Sequence, residues 1–425
     1  MNWSPPVGYQ QVESKLDGVT VYAPAPEEEK IPEAQTFKCP QCGATTEYDP
    51  GASSEACKHC GYIGAIQAQV VGQHAEESEF TMTTMQKEIR GWGDERKELH
   101  CEACGADISI AAKELSATCP FCASNRVTVR TTSNDGLRPK FLIPFKIETN
   151  ACGKLAKEWL GKGWMHPSDL ASSAGSAKFV GVYMPFWTFD ARIGAAWEAE
   201  VGYERQESYY DSSAKAWRTR TVIDWKWENG SVNVPINDML GVGATKASAV
   251  IQEKLYPFNL NDLTTYNPSF LAGWQAQSYD IPLPTAWDAA KGRMREQAKR
   301  ACYSDTGSSH VRSFSMKADF ADESWRYILL PVFIAAYRFG DKTFQIMING
   351  QSGSVAGQKP VAWWKVWLAV IAIMTPGSCI SLIGIPLLFA GGVGLVPLII
   401  GGILFVGGAV FSAYLFNQAF KAGEV

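Results

Sequence analysis

Between positions 217 and 228 the chain alternates. Trp217, Thr219, Thr221, Ile223, Trp225 and Trp227 interleave with Arg218, Arg220, Asp224, Lys226 and Glu228. Period two marks a strand, and the pattern predicts that its aromatic face is buried. Asn229-Gly230 supplies two residues that tolerate positive φ, so a tight hairpin turn is expected there, with Val232, Val234 and Ile236 resuming the alternation. A second meander is expected over 327–339, a Gly340-Asp341 turn, 343–348, an Asn349-Gly350 turn and Val355. The period becomes helical twice. Leu155 and Trp159 share a face of a helix starting near Ala151, and Trp287, Ala290, Met294 and Ala298 mark an amphipathic helix over 284–302. Residues 137–360 therefore read as an α+β domain rich in antiparallel hairpins.

The pattern then stops altogether. Residues 366–420 contain no Asp, Glu, Lys or Arg. One bilayer crossing takes about 20 residues, so this run suits two spans, 364–388 and 395–416, within a hairpin covering 361–420. The turn is expected at 390–394. Trp363, Trp364 and Trp367 would lie at the first interface and Tyr414 near the last. Lys359 and Lys365 precede the spans and Lys421 follows them, which places 1–362 and 421–425 together on the cytoplasmic side. Gly401, Gly408 and Ser412 fall on one helix face, where small residues would let the spans, or two protomers of a homo-oligomer, approach closely. The first residues lack the basic start and apolar run of a secretory signal.

Eleven cysteines add the chemistry. Cys39, Cys42, Cys57 and Cys60 form two CxxC pairs over 37–63, and Cys101, Cys104, Cys119 and Cys122 repeat the arrangement over 97–131. In both modules 14 residues separate the pairs. Two residues between cysteines let one tight turn present both sulfurs, and a second pair closes a tetrahedral site, so two structural zinc ions (Zn2+) are expected. Redox pairs or disulfides are the competing readings, and the identical spacing disfavours both. Gly43, Gly61 and Gly105 follow a pair and relieve positive φ; Ala123 stands where the fourth would be. With four protein ligands each, the sites have no open position for catalytic water. His59 and His100 are read as solvated or neighbouring groups, His166 and His310 as lacking a telling partner, and Cys152, Cys302 and Cys379 as small apolar helix residues. Residues 1–36, acidic and proline-rich, read as a disordered tail, and 64–96, with its charged stretch at 86–96, as a linker. Thiolate sites persist in a reducing compartment, in agreement with the cytoplasmic placement.

The CxxCGA and CPFC modules resemble zinc ribbons of the transcription-factor-IIB type. With Leu142-Ile-Pro-Phe-Lys-Ile, the run from Gly181 to Asp190, Leu330-Pro-Val-Phe, Tyr337-Arg-Phe-Gly and Asn349-Gly-Gln-Ser-Gly, nearly the whole chain resembles a bacterial family of double zinc-ribbon membrane proteins. Its members are often labelled as related to the primosomal replication-restart helicase, and some are linked to phage-shock and flotillin-like (SPFH) membrane systems. The resemblance implies an inner-membrane location and an α+β multidomain architecture, and it implies no activity. The chain has no GxxxxGK[ST] loop, Gly243-Ala-Thr-Lys246 being a fragment with the wrong spacing, so a nucleotide motor is excluded. Lys plus Arg is 39 and Asp plus Glu 43, net −4, which leaves no basic footprint for nucleic acid. The expected function is that of a non-enzymatic membrane adaptor holding protein partners, SPFH proteins among them, at the lipid bilayer. A membrane-tethered nucleic-acid-binding ribbon protein and an enzyme with an unrecognised site in the α+β domain are the alternatives.

Overall fold

The computed structural model describes residues 9–12, 21–24, 37–80, 96–111, 119–122, 124, 126–130, 137–245, 255, 257–389 and 394–423. Three very long antiparallel strands form its frame: Val180–Asp211, Ala216–Val242 and His310–Phe339. The first lies between the other two, pairing with the second from Phe186↔Val242 to Asp211↔Ala216 and with the third from Val180↔Ile334 to Gly202↔His310. Lys342–Asn349 and Val355–Gly357 extend the sheet beyond the third strand. The turn expected at Gly340 is present, with φ 60° at that glycine.

Residues 181–189 are buried on both faces, which explains why this run is almost wholly apolar. One face carries Tyr183, Trp187 and Phe189, then Ile193, Ala195, Trp197, Ala199 and Val201. It is covered by the helices Thr149–Leu160 and Leu283–Asp305. The longer helix packs through Trp287, Ala290, Met294, Ala298 and Cys302, as its sequence predicts. The shorter one presents Cys152, Ala156 and Leu160, so Leu155 and Trp159 flank the buried stripe rather than form it. On the opposite face Val182, Met184 and Phe186 pack with Ile328, Leu330 and Val332 and with Leu99, Ile108 and Ile110 of the second cysteine module. That module also joins the sheet directly: Gln275–Ala276 pairs with Val182–Tyr183 on one side and with Ser109 on the other.

The Asn229-Gly230 turn expected from sequence is absent. Both residues lie inside the second long strand, opposite Glu198 and Trp197. The apolar phase does change there, from odd positions (Trp225, Trp227) to even ones (Val232, Val234, Ile236), and this mimics a turn. In the structure the two phases belong to opposite faces of one strand. Even positions meet the core, whereas Trp217 and Trp227 point to solvent, 73% and 59% exposed. The predicted burial of the aromatic face is thereby corrected. Gly230 serves close packing instead, since a Cβ would come within 2.8 Å of the Trp197 ring. The true hairpin turn spans 211–216, where the Asp211 carboxylate accepts from the Ser213 and Ala214 N–H groups and Lys215 adopts φ 48°. Likewise the 349–354 turn places its positive φ at Gly353, while Gly350 makes room for Phe145.

Beyond Gly202 the third strand ends. Residues 203–211 pair with 216–224 and with nothing else among the described residues. Nine pairs at about 3.3 Å each form a two-stranded arm about 30 Å long. At the other end of the sheet the chain enters two helices, Trp363–Phe389 and Leu395–Gly423, each long and apolar enough to cross a membrane. They pack against one another, and Gly401, Gly408 and Ser412 all lie on the buried face. Most of the expected 390–394 turn lies outside the described residues, as do Ala123, residues 81–95 of the connector, and residues 1–36 apart from the paired strands Tyr9–Val12 and Val21–Pro24.

Candidate metal centres and a buried arginine

The eight CxxC cysteines form two compact quartets, Cys39, Cys42, Cys57, Cys60 and Cys101, Cys104, Cys119, Cys122, each with its sulfurs within 4.8 Å of one another. In the first module the strands Glu47–Asp49, Ser54–Ala56 and Ile63–Gly64 make a small antiparallel sheet that carries the two turns. In the second, Arg96–Cys101 runs between Asp107–Ala111 and Val127–Arg130. The first cysteine of each pair is buried and the second faces outward or is half-buried.

The turns repeat one geometry. Gly43, Gly61 and Gly105 donate their N–H to the carbonyls of Cys39, Cys57 and Cys101 at 2.7–2.9 Å, with φ of 70–76°. A residue with a Cβ would be strained at such φ. Across each site the closest sulfurs are 3.5 Å (Cys39–Cys60) and 3.6 Å (Cys42–Cys57, Cys101–Cys122, Cys104–Cys119) apart. A tetrahedron with metal–sulfur bonds of about 2.3 Å has edges of about 3.8 Å, whereas a disulfide needs about 2.05 Å. The spacing therefore fits metal ligation.

The electrostatics agree. N–H groups of Cys60 and His59 directed at its sulfur lower the Cys57 thiol to about 6. Burial opposes ionisation of Cys101, yet the N–H groups of Cys104 and Ala103 bring it to about 7. Burial and sulfur crowding push Cys104 up to about 11. Ionising all four thiols of a quartet at such distances would need a cation between them. Each quartet can hold a metal ion, and its four-sulfur donor set suits zinc.

The side chains of the remaining sequence candidates are not part of either quartet. His59 is exposed, and His100 Nδ1 lies 2.6 Å from the Asp107 carboxylate on the adjacent strand. His166 donates through Nδ1 to the Pro360 carbonyl at 2.9 Å. His310 Nε2 meets Glu204 at 3.0 Å, a partner 106 positions away that spacing does not reveal. Cys152 and Cys302 are buried in helices as expected, but Cys379 is exposed on the first apolar helix.

Sequence reasoning missed a second constellation. Arg326, 1% exposed, donates from Nη2 to Asp238 Oδ1 at 2.7 Å, Glu77 Oε1 at 2.9 Å and Asp190 Oδ2 at 3.4 Å. Asp190 marks a bulge toward both neighbouring strands, and Asp238 and Asp322 beside it adopt φ of 54°. Burial first, then the hydrogen bond with Glu77, pushes Asp190 up to about 7. Burial also raises Asp238, against the pull of Arg326. Glu77 ends below its ordinary value because hydrogen bonds from Asp190 and Ser324 outweigh its burial. A cleft of about 530 Å³ opens above these carboxylates. Glu77 belongs to the connector between the cysteine modules, and the next two residues, Ser78–Glu79, pair with Ser324–Trp325 of the third strand. The cluster thus fastens the connector to the sheet. Its sequence signal is faint: Arg326 stands at the head of the apolar run 327–337, just after Asp322 and Glu323.

No family model matches the chain, and no solved structure matches it. The chain is similar to the uncharacterized protein YdjG of Bacillus subtilis, with 24% identity over 361 residues that cover 84% of this chain and 99% of that protein.

Proposed function

We propose that this is a membrane-anchored adaptor with two zinc ribbons, which holds protein partners at the cytoplasmic face of a membrane and carries out no chemistry of its own. Zinc is the ion favoured by eight cysteines in two four-sulfur sites, and such sites, once filled, leave no position for a reacting water. The apolar helices form the anchor, and reduced thiols together with Lys359 before the first helix and Lys365 in its first turn favour the cytoplasmic side.

The observation that carries the adaptor reading is the projecting arm. Near its tip Tyr210 and Trp217 stack edge to face at 5.6 Å while remaining 52% and 73% exposed. Exposed aromatic pairs on a rigid element are typical anchors for another protein. The arm does not suit nucleic acid as well, because its arginines are already neutralised: Arg205 by Asp224, Arg218 by Asp211 and Arg220 by Glu207. The resemblance of the sequence to SPFH-linked membrane proteins makes a flotillin-like protein the first partner to test. A photo-crosslinking residue placed at Trp217 in the full-length chain should trap a defined protein in cells, and one at Lys154 on the short helix should not. Capture of nucleic acid instead, or of nothing above the Lys154 control, would refute the adaptor reading.

A further inference from the structure

The loop 161–166 leaves the end of the short helix and is bound to the start of the first apolar helix. The Ala362 N–H donates to the Met165 carbonyl at 2.8 Å, and Lys365 Nζ donates to the His166 carbonyl at 2.8 Å. Lys359 Nζ donates to the carbonyls of Lys162 and Trp159 and lies 3.9 Å from the centre of the Trp159 ring. His166 closes the strap through the Pro360 carbonyl. Helix residues rise about 1.5 Å each, so the loop lies level with Ala362–Lys365 and within a few ångströms of the height of Trp364 and Trp367.

Those two tryptophans are 62% and 54% exposed, as suits rings at a bilayer surface. Trp164, in this loop, is 50% exposed and belongs to neither hydrophobic core cluster. Lys162, two positions before it, and Lys157 are exposed, against Glu158 and Asp169 in the same stretch, whereas the ammonium groups of Lys359 and Lys365 are taken up by the loop's own carbonyls. An exposed indole with an exposed lysine two positions away, fixed at the height of the membrane interface, matches the headgroup layer of a bilayer: ring among the glycerol backbones, charge on a phosphate.

We infer that loop 161–166 is a second membrane contact, in which Trp164 enters the interface and Lys162 binds lipid phosphate, so that the sheet is held at a fixed tilt rather than swinging from its anchor. The inference rests on the reading that the two apolar helices span the bilayer. It extends the membrane surface of the protein from the spans to the body, and it would set the direction in which the arm points.

The test uses the full, metal-loaded chain carrying Cys379→Ala, with spin labels placed one at a time through Trp164→Cys, Ile371→Cys and Lys215→Cys. Each is reconstituted into vesicles of phosphatidylcholine with and without phosphatidylglycerol, and depth is read from collisions with oxygen and with a water-soluble nickel chelate. The label at 371 should be deep, the one at 215 fully aqueous, and the one at 164 at headgroup depth. Adding Lys162→Glu should move the label at 164 toward water in the phosphatidylglycerol vesicles. A label at 164 as accessible to nickel as that at 215, with 371 deep, overturns the inference and leaves the spans intact. Nickel access at 371 overturns both. A depth at 164 unmoved by Lys162→Glu overturns the phosphate contact.

Discussion

Arg326 and Glu77 are 249 positions apart in sequence and joined by a 2.9 Å ion pair, which ties the segment between the cysteine modules to the central sheet. Arg326 is fully buried and meets three carboxylates through one nitrogen, so removing it would leave those acids facing one another without a counterion. Arg326→Ala should therefore destabilise the body by about 3–5 kcal/mol. Glu77→Gln, which keeps the shape and removes one charge, should cost less and should specifically loosen the connector. Hydrogen exchange at 77–80 checks the second expectation: faster exchange there with the strands at 328–334 unchanged is the expected result.

The same cluster predicts a pH dependence with a definite sign. Asp190 ionises near 3.8 when unfolded and is raised to about 7 in the folded protein, so between these values the folded state holds a proton that the unfolded state has released. Its contribution to stability is therefore complete below the lower value and lost as pH rises through the upper one. Asp238 acts in the same direction, whereas Glu77, lowered, contributes stability that is full above its ordinary carboxylate range and is lost as pH falls below it. Asp190→Asn retains an uncharged hydrogen-bonding group at all pH values. Its thermal midpoint in detergent should come closest to that of the wild type near about pH 4 and exceed it by a margin that grows as pH rises to about 7. A constant difference between the two proteins across that range would rule out proton uptake at Asp190.

Metal loss should affect the two modules unequally. The second module shares a hydrophobic core with the sheet through Leu99, Ile108 and Ile110 and is joined to it at Ser109. The first contributes Tyr48, whose hydroxyl donates to the Phe145 carbonyl at 3.2 Å, and little else to the main core. Elemental analysis should find two zinc ions in the wild type and one in either Cys42→Ser or Cys104→Ser. Cys104→Ser should also lower the unfolding midpoint of the body, while Cys42→Ser should leave it nearly unchanged. An unchanged midpoint in Cys104→Ser would mean that the shared core does not depend on the metal, and an equal drop in both variants would refute the unequal coupling.

What the sequence made legible was whatever depends on spacing within a short window. The CxxC quartets, the amphipathic helix packed through Trp287 and Met294, and the two apolar helices all follow from local periodicity and are found as expected. Long-range pairing was not legible. The alternation from Trp217 to Glu228 correctly announces a strand, but period two does not say which face meets the core, because that depends on where the third strand and the long helix end. Nor could spacing reveal that Arg326 draws its partners from three distant segments. An Asn-Gly pair inside a strand reads as a turn until the ring of Trp197 is found against its glycine.

The apolar helices offer a test that separates packing from the general abundance of glycine in such segments. A Cβ built on Gly401 would come 2.4 Å from Ser381 Oγ and 2.6 Å from the Ser381 backbone nitrogen, and one on Gly377 would come 2.6 Å from the nitrogen of Phe405. Backbone atoms cannot move aside as a side chain can, so Gly401→Ala and Gly377→Ala should each force the helices apart. The expected cost is about 1–3 kcal/mol, the range for overpacking a close contact. At Gly408 the nearest atom is Met374 Sδ at 3.3 Å, a flexible neighbour, and Gly408→Ala should be tolerated while Gly408→Leu should not. Gly402 and Gly407 have nothing within 4 Å, so alanine there should be neutral or slightly stabilising through its higher helix propensity. Thermal stability of the six variants in one detergent checks the ranking. If Gly401→Ala and Gly407→Ala behaved alike, the close approach of the helices through Gly401 would be refuted.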